Sequence, residues 1–315
     1  MPPSALPRSS IVILTFNRAS SLERLLQSLS EVVSDDIEVI VVDNHSQDDP
    51  RDVAARVGIP LRYLRMDANL GVAARNRGLQ QARGDLVVCL DDDVFGIDRW
   101  TIDSLRAAFE ADARLAAINF KVLDPRTSQV CNWVHHCEEE RFADGVFDTY
   151  EITEGAVAFR RSALAEAGWY PEYFFLSHEG PDLAFRLMDR GYRVIYQGDV
   201  AVWHWHATEG RGSWTNYYYD TRNQYWLAAR NFALGYAFRY LARGQVSTCL
   251  YALRDGHLGY WLKAVRDGVA GLKRVQRDRR IVGRDTMSAI RAIDARRPSW
   301  VYMARKRLLQ KAMRL

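Results

Sequence analysis

The sequence predicts an α/β protein: a Rossmann-like, mainly parallel sheet flanked by helices and followed by a helical extension at the C-terminus. In the first half of the chain, short apolar runs alternate with segments whose apolar residues recur at helical spacing. After about residue 210, aromatic residues recur at helical spacing and the chain then becomes basic. Near-continuous apolar strands that alternate with helices are typical of parallel sheets covered on both faces.

The predicted elements follow from these patterns in chain order. Strands are expected at 10–16, 37–43, 60–66, 85–91, 116–123 and 154–160, and as two extended runs about Gly198 within 192–206. Helices are expected at 20–32, 71–84, 161–168 and 181–191. The aromatic residues after 213 are at least as typical of core packing as of a binding surface. The chain therefore shows a sheet-forming part and a helical part, with a boundary near residue 210.

The composition is that of a globular protein of 315 residues, of which 48% are hydrophobic and 26% charged. No run approaches the roughly 20 apolar residues that span a bilayer. The N-terminus lacks the basic start and long apolar stretch of a signal peptide. Four cysteines indicate no disulfide framework. We therefore expect a cytoplasmic protein.

The net charge of +4 hides a strong asymmetry along the chain. Residues 239–315 contain 19 Lys or Arg and 5 Asp, a net charge of +14, so the remainder carries −10. A basic tail on an acidic body indicates a phosphate-bearing partner. Peripheral contact with an anionic membrane surface and ordinary helical packing both fit the tail. A nucleic-acid partner is unlikely, because no nucleic-acid-binding fold is recognisable.

Three consecutive aspartates, Asp91, Asp92 and Asp93, lie at the end of the strand predicted over 85–91. Carboxylates crowded at the end of a buried strand repel one another, so a proton or a cation must compensate them. Asp91 and Asp93 point to the same side of an extended chain. Mg²⁺ and Mn²⁺ prefer oxygen ligands that substrate phosphates complete. The stretch therefore predicts a metal–nucleotide site, with a solvated turn as the alternative.

Six segments in a fixed order resemble the family 2 glycosyltransferases, which have the GT-A fold. They are "ILTFNR" (13–18), "VVDNHSQDD" (41–49), "NLGVAARNRGL" (69–79), "VVCLDDDV" (87–94), "EGAVAFRRSALAEAGW" (154–169) and "HEGPDLAFRLMDRGYRV" (178–194). The resemblance covers roughly residues 10 to 210. It implies a catalytic domain at 1–210, divided into a nucleotide-sugar part at 1–95 and an acceptor part at 96–210, before the C-terminal region at 211–315.

The resemblance also implies a reaction and a set of residues. The expected reaction moves a sugar from a nucleoside-diphosphate sugar to a hydroxyl group, with inversion at the anomeric carbon and with Mn²⁺ or Mg²⁺ as cofactor. The donor-binding residues would be Thr15, Asn17, Asp43, Arg75, Asn76, Asp91 and Asp92. Asp93, with Asp91, would bind the metal. The acceptor side would include Gly155, Trp133 and His136.

The general base of an inverting reaction is expected in "SHEGPDLAFR". Glu179 and Asp182 are three residues apart, so at a helix start they can share one face. Many relatives read E-D-x-D here, with the second acid as a common choice of base, whereas this chain has Gly180 at that position. Glu179 is favoured over Asp182, and helix capping by both is the alternative reading.

Two histidines add a second candidate for the metal. His204 and His206 alternate with tryptophans, so on a strand both lie on one face. A neutral imidazole suits Mn²⁺, and similar enzymes use a histidine after this strand as a metal ligand. We therefore expect His204, and with it His206, to face the metal or the diphosphate.

Several functional alternatives stay open at this point. The basic tail favours a lipid-linked or cell-envelope glycan as acceptor, although a secondary-metabolite aglycone would leave the same motifs. A sugar nucleotidyltransferase would need a glycine-rich phosphate loop after the first strand, which "LTFNRASSLERL" lacks. A non-catalytic scaffold that binds nucleotide sugars would be consistent with Gly180.

Overall fold

The structure is a computed structural model, which describes residues 8–205 and 214–299. The strands in these residues are β1 (Ser9–Thr15), β2 (Ile37–Asp43), β3 (Leu61–Arg65), β4 (Leu86–Asp91), β5 (Val94–Phe95), β6 (Leu115–Leu123), β7 (Val146–Asp148), β8 (Ala156–Arg160) and β9 (Arg193–His204). The helices are α1 (Ala19–Ser28), α2 (Pro50–Val57), α3 (Arg75–Gln81), α4 (Arg99–Ala111), α5 (Glu139–Phe142), α6 (Arg161–Ala167), α7 (Glu179–Met188), α8 (Thr215–Asn231), α9 (Leu234–Arg254), α10 (Leu258–Ala270), α11 (Leu272–Val275) and α12 (Arg284–Asp294).

The strands form one sheet in the order β3-β2-β1-β4-β8-β6-β9-β5, with β7 also paired to β9. The four strands from β3 to β4 are mutually parallel, and β6 is parallel to β9. β8 runs antiparallel to both of its neighbours, and β5 and β7 run antiparallel to β9. The predicted mainly parallel sheet is confirmed, with antiparallel strands added in its second half.

Both faces of the sheet are buried, which explains the continuous apolar runs of the strands. Along β1, Val12 packs into one apolar cluster, whereas Ile11 and Ile13 pack into the other on the opposite face. The same alternation places Cys89 of β4 with Val12, and Leu90 with Ile11. This is the arrangement expected for a parallel sheet covered on both faces.

The observed elements differ from the predicted ones at several boundaries. The predicted helix over 71–84 begins as a turn of 3₁₀ helix at Gly71–Ala74 and continues as α3. α7 begins at Glu179, two residues before the predicted start, so Glu179 lies in its first turn. The two extended runs about Gly198 are one strand, β9, with an irregular register opposite Phe120 and Lys121.

The C-terminal helices pack against the sheet-forming part of the chain. Trp226 and Leu227 of α8 are buried in the same apolar cluster as Val12 of β1. Core packing of the aromatic segment is therefore confirmed for these residues. The predicted domain boundary near 210 falls outside the described residues and stays a prediction. In the part of the chain that the structure describes, no helix is both long enough and apolar enough to cross a membrane.

Candidate active site

The aspartates at the end of β4 are compensated by arginines from two other elements. Arg75, fully buried on α3, donates to the Asp91 carboxylate and to the Leu90 carbonyl at 2.9 Å. Arg18, from the loop after β1, lies 2.7 Å from Asp93 and 3.3 Å from Asp92. The sequence did not predict that Arg18 belongs to this site. Arg18 lies more than 70 residues before the aspartates, so no local sequence pattern connects them.

Asp92 and Asp93 are almost completely buried, at 2% exposure each. Burial raises the pKa of Asp92 to about 7, although the charge of Arg18 acts in the opposite direction. A carboxylate with such a pKa is only partly ionised at neutral pH. The crowding inferred from the sequence is therefore a real electrostatic cost in this state, and Arg18 offsets part of it.

His204 reaches the same cluster from the end of β9. β5 pairs with β9 so that His204 lies opposite Val94, and its Nε2 atom is 3.2 Å from Oδ1 of Asp93. Burial lowers the pKa of His204, but hydrogen bonds to Asp93 and Cys131 and the charges of Asp93 and Asp91 together outweigh this effect, and the pKa rises to about 9. His204 and Asp93 therefore form an ion pair at neutral pH. His206 lies outside the described residues.

Among the members of the predicted set that the structure describes, two are placed to bind a divalent metal. Asp93 would provide a carboxylate oxygen and His204, after loss of its proton, an imidazole nitrogen, while Asp91 is turned to Arg75. Within residues 8–205 and 214–299, no group of three or more His, Cys, Asp or Glu side chains converges as a metal site. The donor set fits an ion that takes its remaining ligands from substrate phosphates and water, which is usual for Mg²⁺.

The predicted nucleoside residues lie at the ends of β1 and β2. Asp43 is fully buried and accepts hydrogen bonds from the Ser46 backbone at 2.8 Å, Tyr63 at 2.7 Å and Arg65 at 2.6 Å. The side-chain amide oxygen of Asn17 accepts a hydrogen bond from a backbone N–H in the loop after β2, at 2.8 Å. Thr15 is buried at the last position of β1. These contacts hold the β1 and β2 loops together at the edge of the sheet where the aspartates lie.

Asn76 is engaged in a different way from its neighbour Arg75. Its side-chain amide donates to the Tyr170 carbonyl at 2.9 Å and accepts from the Tyr170 backbone N–H at 3.0 Å. Both functions of the amide are thus used to connect α3 to the loop after α6. The structure brings Arg75, Asp91 and Asp92 together, whereas Asn76 points to Tyr170; its role in donor binding stays a prediction.

The first turn of α7 carries two carboxylates in contrasting surroundings, of which Glu179 is the first. Glu179 is 2% exposed. Burial raises its pKa above the usual range of a glutamate, against backbone hydrogen bonds and the His178 charge. A second, half-buried carboxylate, that of Glu154, lies nearby, and its pKa is raised by desolvation and then by the charge of Glu179. Glu179 therefore has the raised proton affinity that suits a general base near neutral pH.

Asp182 is fully buried in an ion-pair cluster. Its carboxylate accepts from Arg186 at 3.0 Å, Arg230 at 2.7 Å and Asn231 at 2.9 Å. Burial alone would raise the pKa of Asp182, but the charges of Arg186 and Arg230 outweigh it and the pKa is lowered. A carboxylate whose oxygens are already occupied and whose proton affinity is low is a poor base. The geometry of Asp182 is that of a structural link between α7 and α8.

The loop that leads into α7 is strained and is held by α8. Phe175, Ser177 and His178 all have left-handed φ angles, of 69°, 69° and 68°, which cost energy in non-glycine residues. The side-chain amide of Asn223 donates to the carbonyls of Phe174, Leu176 and Ser177 at 3.0, 2.6 and 2.7 Å. Asn223 on α8 therefore positions the loop that carries Glu179.

The predicted acceptor residues fall in two different places. Gly155 lies against Asp91, since a Cβ atom on Gly155 would come within 2.3 Å of the Asp91 carboxylate. Trp133 packs edge-on against Tyr196. His136 lies 2.9 Å from Glu151. The structure therefore brings Gly155 to the aspartates and assigns Trp133 and His136 packing and ion-pair contacts; their acceptor role stays a prediction.

This fold is shared with solved glycosyltransferase structures. A mannosyltransferase from Pyrobaculum calidifontis, solved with GDP-Man and Mn²⁺, aligns with a TM-score of 0.57 over 98% of this chain and 89% of its own, at 21% identity. The predicted GT-A fold is thereby confirmed. The sequence agrees: residues 10–166 match the model of glycosyl transferase family 2. The chain belongs to glycosyltransferase family 2.

Two relatives illustrate the family. The uncharacterized glycosyltransferase YwdF of Bacillus subtilis is 37% identical over 169 residues, which cover 51% of this chain and 61% of YwdF. An N-acetylglucosaminyl-diphospho-decaprenol L-rhamnosyltransferase of Mycobacterium tuberculosis is 25% identical over 233 residues, covering 62% of this chain and 75% of that protein. The chain thus spans about three fifths of the length of YwdF.

Substitution of Asp182 tests its structural role. In Asp182→Ala, Arg186 and Arg230 lose the buried carboxylate that they share, and we expect the free energy of unfolding to fall by about 3–5 kcal/mol. Asp278→Ala is the matched control, because Asp278 also pairs with Arg230, at 3.2 Å, but is 54% exposed; its expected cost is below about 1 kcal/mol. Urea denaturation measures both values, and equal costs would contradict the assignment.

Substitution of Asn223 tests whether α8 positions the loop before α7. Asn223→Asp keeps the shape but removes the amide donors, and each buried carbonyl left without a donor costs about 1–3 kcal/mol. We expect a lower melting temperature and a loss of turnover of about tenfold or more. Asn216→Asp, in the first turn of the same helix, is the control and should change neither value. A normal turnover number in Asn223→Asp would show that the loop keeps its shape without the amide.

Proposed function

We propose that this protein transfers a sugar from a nucleoside-diphosphate sugar to a hydroxyl acceptor, with inversion and with Mn²⁺ or Mg²⁺ as cofactor. The observation that supports this best is the cluster of Asp91, Asp92 and Asp93 with Arg18 and His204. It lies at the carboxyl end of a central strand, where α/β sheets bind their ligands. Buried carboxylates, a histidine and cations at one point suit a diphosphate with a bound cation.

Asp93 and His204 are the residues that would hold the ion. When bound, the ion would stabilise the negative charge that develops on the leaving diphosphate. Arg75 holds the Asp91 carboxylate in place, because its guanidinium is fully buried beside that carboxylate. Arg18 offsets part of the charge of Asp92 and Asp93 and is itself partly exposed, so it can also meet an anionic ligand.

An inverting displacement requires a base that takes the proton of the acceptor hydroxyl. Glu179 suits this role better than Asp182, because its pKa is raised by burial whereas that of Asp182 is lowered by two arginines. The left-handed loop held by Asn223 fixes Glu179 at the start of α7. The base therefore belongs to the first turn of α7 and its immediate surroundings.

The acceptor that we propose is a lipid-linked or cell-envelope glycan. One relative is named for an acceptor on diphospho-decaprenol. A soluble protein domain reaches such an acceptor only if the protein comes close to the membrane surface. The described C-terminal helices carry a surface suited to this contact.

The surface in question is the outward face of α9. Phe238, Val246 and Leu250, which are separated by eight and four residues, have exposures of 74%, 54% and 61%, whereas an ordinary solvent-facing stripe is polar. Arg239 and Arg243 lie beside them on the helix. An apolar stripe flanked by arginines is the pattern of helices that lie in the interface of anionic lipid.

Charge complementarity favours an anionic membrane as the partner of α9. A second copy of the chain would bring the same arginines together. The segment 300–315 contains five Lys or Arg and no acid, so it would repel the arginines of α9 as well. Anionic lipid headgroups offer the opposite charge together with an apolar layer.

Nucleotide and metal binding can be tested together by thermal shift. We expect a nucleoside diphosphate with Mn²⁺ to raise the melting temperature of the protein, because a ligand that binds only the native state stabilises it. In Asp93→Asn the part of the shift that depends on Mn²⁺ should disappear, and turnover should fall by about 100-fold or more. Asp85→Asn, at the opposite end of the same strand, is the control. Unchanged Mn²⁺ dependence in Asp93→Asn would exclude Asp93 as a ligand.

Vesicle co-sedimentation tests the membrane surface. We expect binding to vesicles that contain phosphatidylglycerol, weaker binding at high salt, and little binding to pure phosphatidylcholine. Phe238→Ser with Leu250→Ser should weaken binding at least tenfold, since each buried apolar side chain contributes about 1.5–3 kcal/mol. Trp100→Ser, an exposed apolar residue on α4, is the control. Equal binding to both kinds of vesicle would contradict the proposed surface.

A further inference from the structure

Gly180, the second residue of α7, has no room for a side chain. A Cβ atom there would lie 2.5 Å from Oε1 of Glu154 and 2.7 Å from the carbonyl oxygen of Ile152. Such distances are far below van der Waals contact. The volume into which a side chain at position 180 would project therefore already contains the carboxylate of Glu154, which comes from the opposite wall of the site.

The segment that carries Glu154 is held firmly at both ends. The buried side chain of Asn119 on β6 donates to the Glu151 carbonyl at 2.9 Å and accepts from the Thr153 backbone at 2.7 Å. On the other side, the Asp91 backbone donates to the Gly155 carbonyl at 3.2 Å. Glu154 is thus fixed between the aspartate cluster and the first turn of α7.

Glu154 is also the more accessible of the two neighbouring glutamates. Its residue is half-buried, whereas Glu179 is 2% exposed. An incoming hydroxyl group can therefore meet Glu154 more easily than Glu179. Because Gly155 lies directly against Asp91, Glu154 also borders the place where the proposed donor diphosphate would bind.

We propose that Glu154 is the carboxylate that accepts the proton of the acceptor hydroxyl, in the place that an acidic side chain at position 180 would otherwise fill. Glu179 is then a buried neighbour of Glu154 in the first turn of α7 and not the base. This inference rests on the proposed transferase function and changes the assignment of its base. It also accounts for Gly180 as a steric requirement of Glu154.

The step is balanced without any further reactant. The O–H bond of the acceptor breaks and its proton passes to an oxygen of Glu154. The acceptor oxygen uses the released electron pair to bond to the anomeric carbon. The bond from that carbon to the diphosphate oxygen breaks on the opposite face, and the nucleoside diphosphate leaves with the electron pair, which inverts the configuration.

The first test removes the carboxylate with the least change in shape. In Glu154→Gln we expect kcat to fall by about 100-fold or more, as for loss of a general base. The KM for the donor and the thermal shift by nucleoside diphosphate with Mn²⁺ should stay within about twofold of the wild-type values. A kcat within threefold of wild type would overturn the proposal.

The second test moves the carboxylate across the site. Glu154→Ala combined with Gly180→Asp restores an acid in the same volume from the other wall, and should recover at least tenfold of the kcat lost in Glu154→Ala. Glu154→Ala combined with Gly180→Asn is the matched control and should recover nothing. Equal recovery by Asp and Asn would show that Glu154 only fills space. If the double variants fail to fold, the Glu154→Gln kinetics decide alone.

The proposed function can fail separately from this inference. The wild-type protein is first assayed with a panel of UDP-, GDP- and TDP-sugars, and the donor that it consumes is used for all variants. Consumption of no donor, together with no thermal shift by any nucleoside diphosphate, would overturn both the function and the role of Glu154. If the wild type turns over a donor and Glu154→Gln keeps full activity, only the proposed role of Glu154 is overturned.

Discussion

Three neighbouring carboxylates at the end of one buried strand impose the constraint around which the site is arranged. Negative charges so close together in a buried place require positive partners, and these come from distant parts of the chain. Arg75 on α3 pairs with Asp91, and Arg18 after β1 pairs with Asp92 and Asp93. The elements at the head of the sheet are therefore held together by charge as well as by apolar packing, and the same charges make the place suitable for a diphosphate.

A second buried carboxylate extends this principle to the C-terminal helices. Asp182 on α7 is paired with Arg230 and Asn231 on α8, and Asn223 on the same helix satisfies the carbonyls of the strained loop before α7. The sheet-forming part and the C-terminal helices, which differ sharply in sequence pattern, are thus joined by polar contacts and by a shared apolar cluster. The boundary predicted near residue 210 reflects a change in composition. The contacts that keep Glu179 in place join residues on both sides of it.

The sequence predicted those parts of the structure that depend on local pattern. Apolar runs identified the strands, and the crowding of Asp91 to Asp93 predicted a place where charged side chains gather, because both signals lie within a few residues. The antiparallel direction of β8 could not be predicted, since the hydrophobic pattern of a short strand does not depend on the direction of its neighbours. The roles of Arg18, Glu154 and Asn223 depend on packing between segments far apart in the chain, so no spacing rule reveals them.

The connection between α7 and α8 also limits how such proteins can be recombined. An exchange of C-terminal helices between relatives, intended to change membrane attachment or acceptor, would replace Arg230, Asn231 and Asn223 together. A transplanted helix without these three side chains would leave Asp182 and the loop of left-handed residues without their partners. α8 must therefore be inherited with the sheet-forming part of the chain, and so must α12, because Asp294 accepts a hydrogen bond from Tyr150 at 2.7 Å and Asp189 accepts one from Thr286 at 3.0 Å.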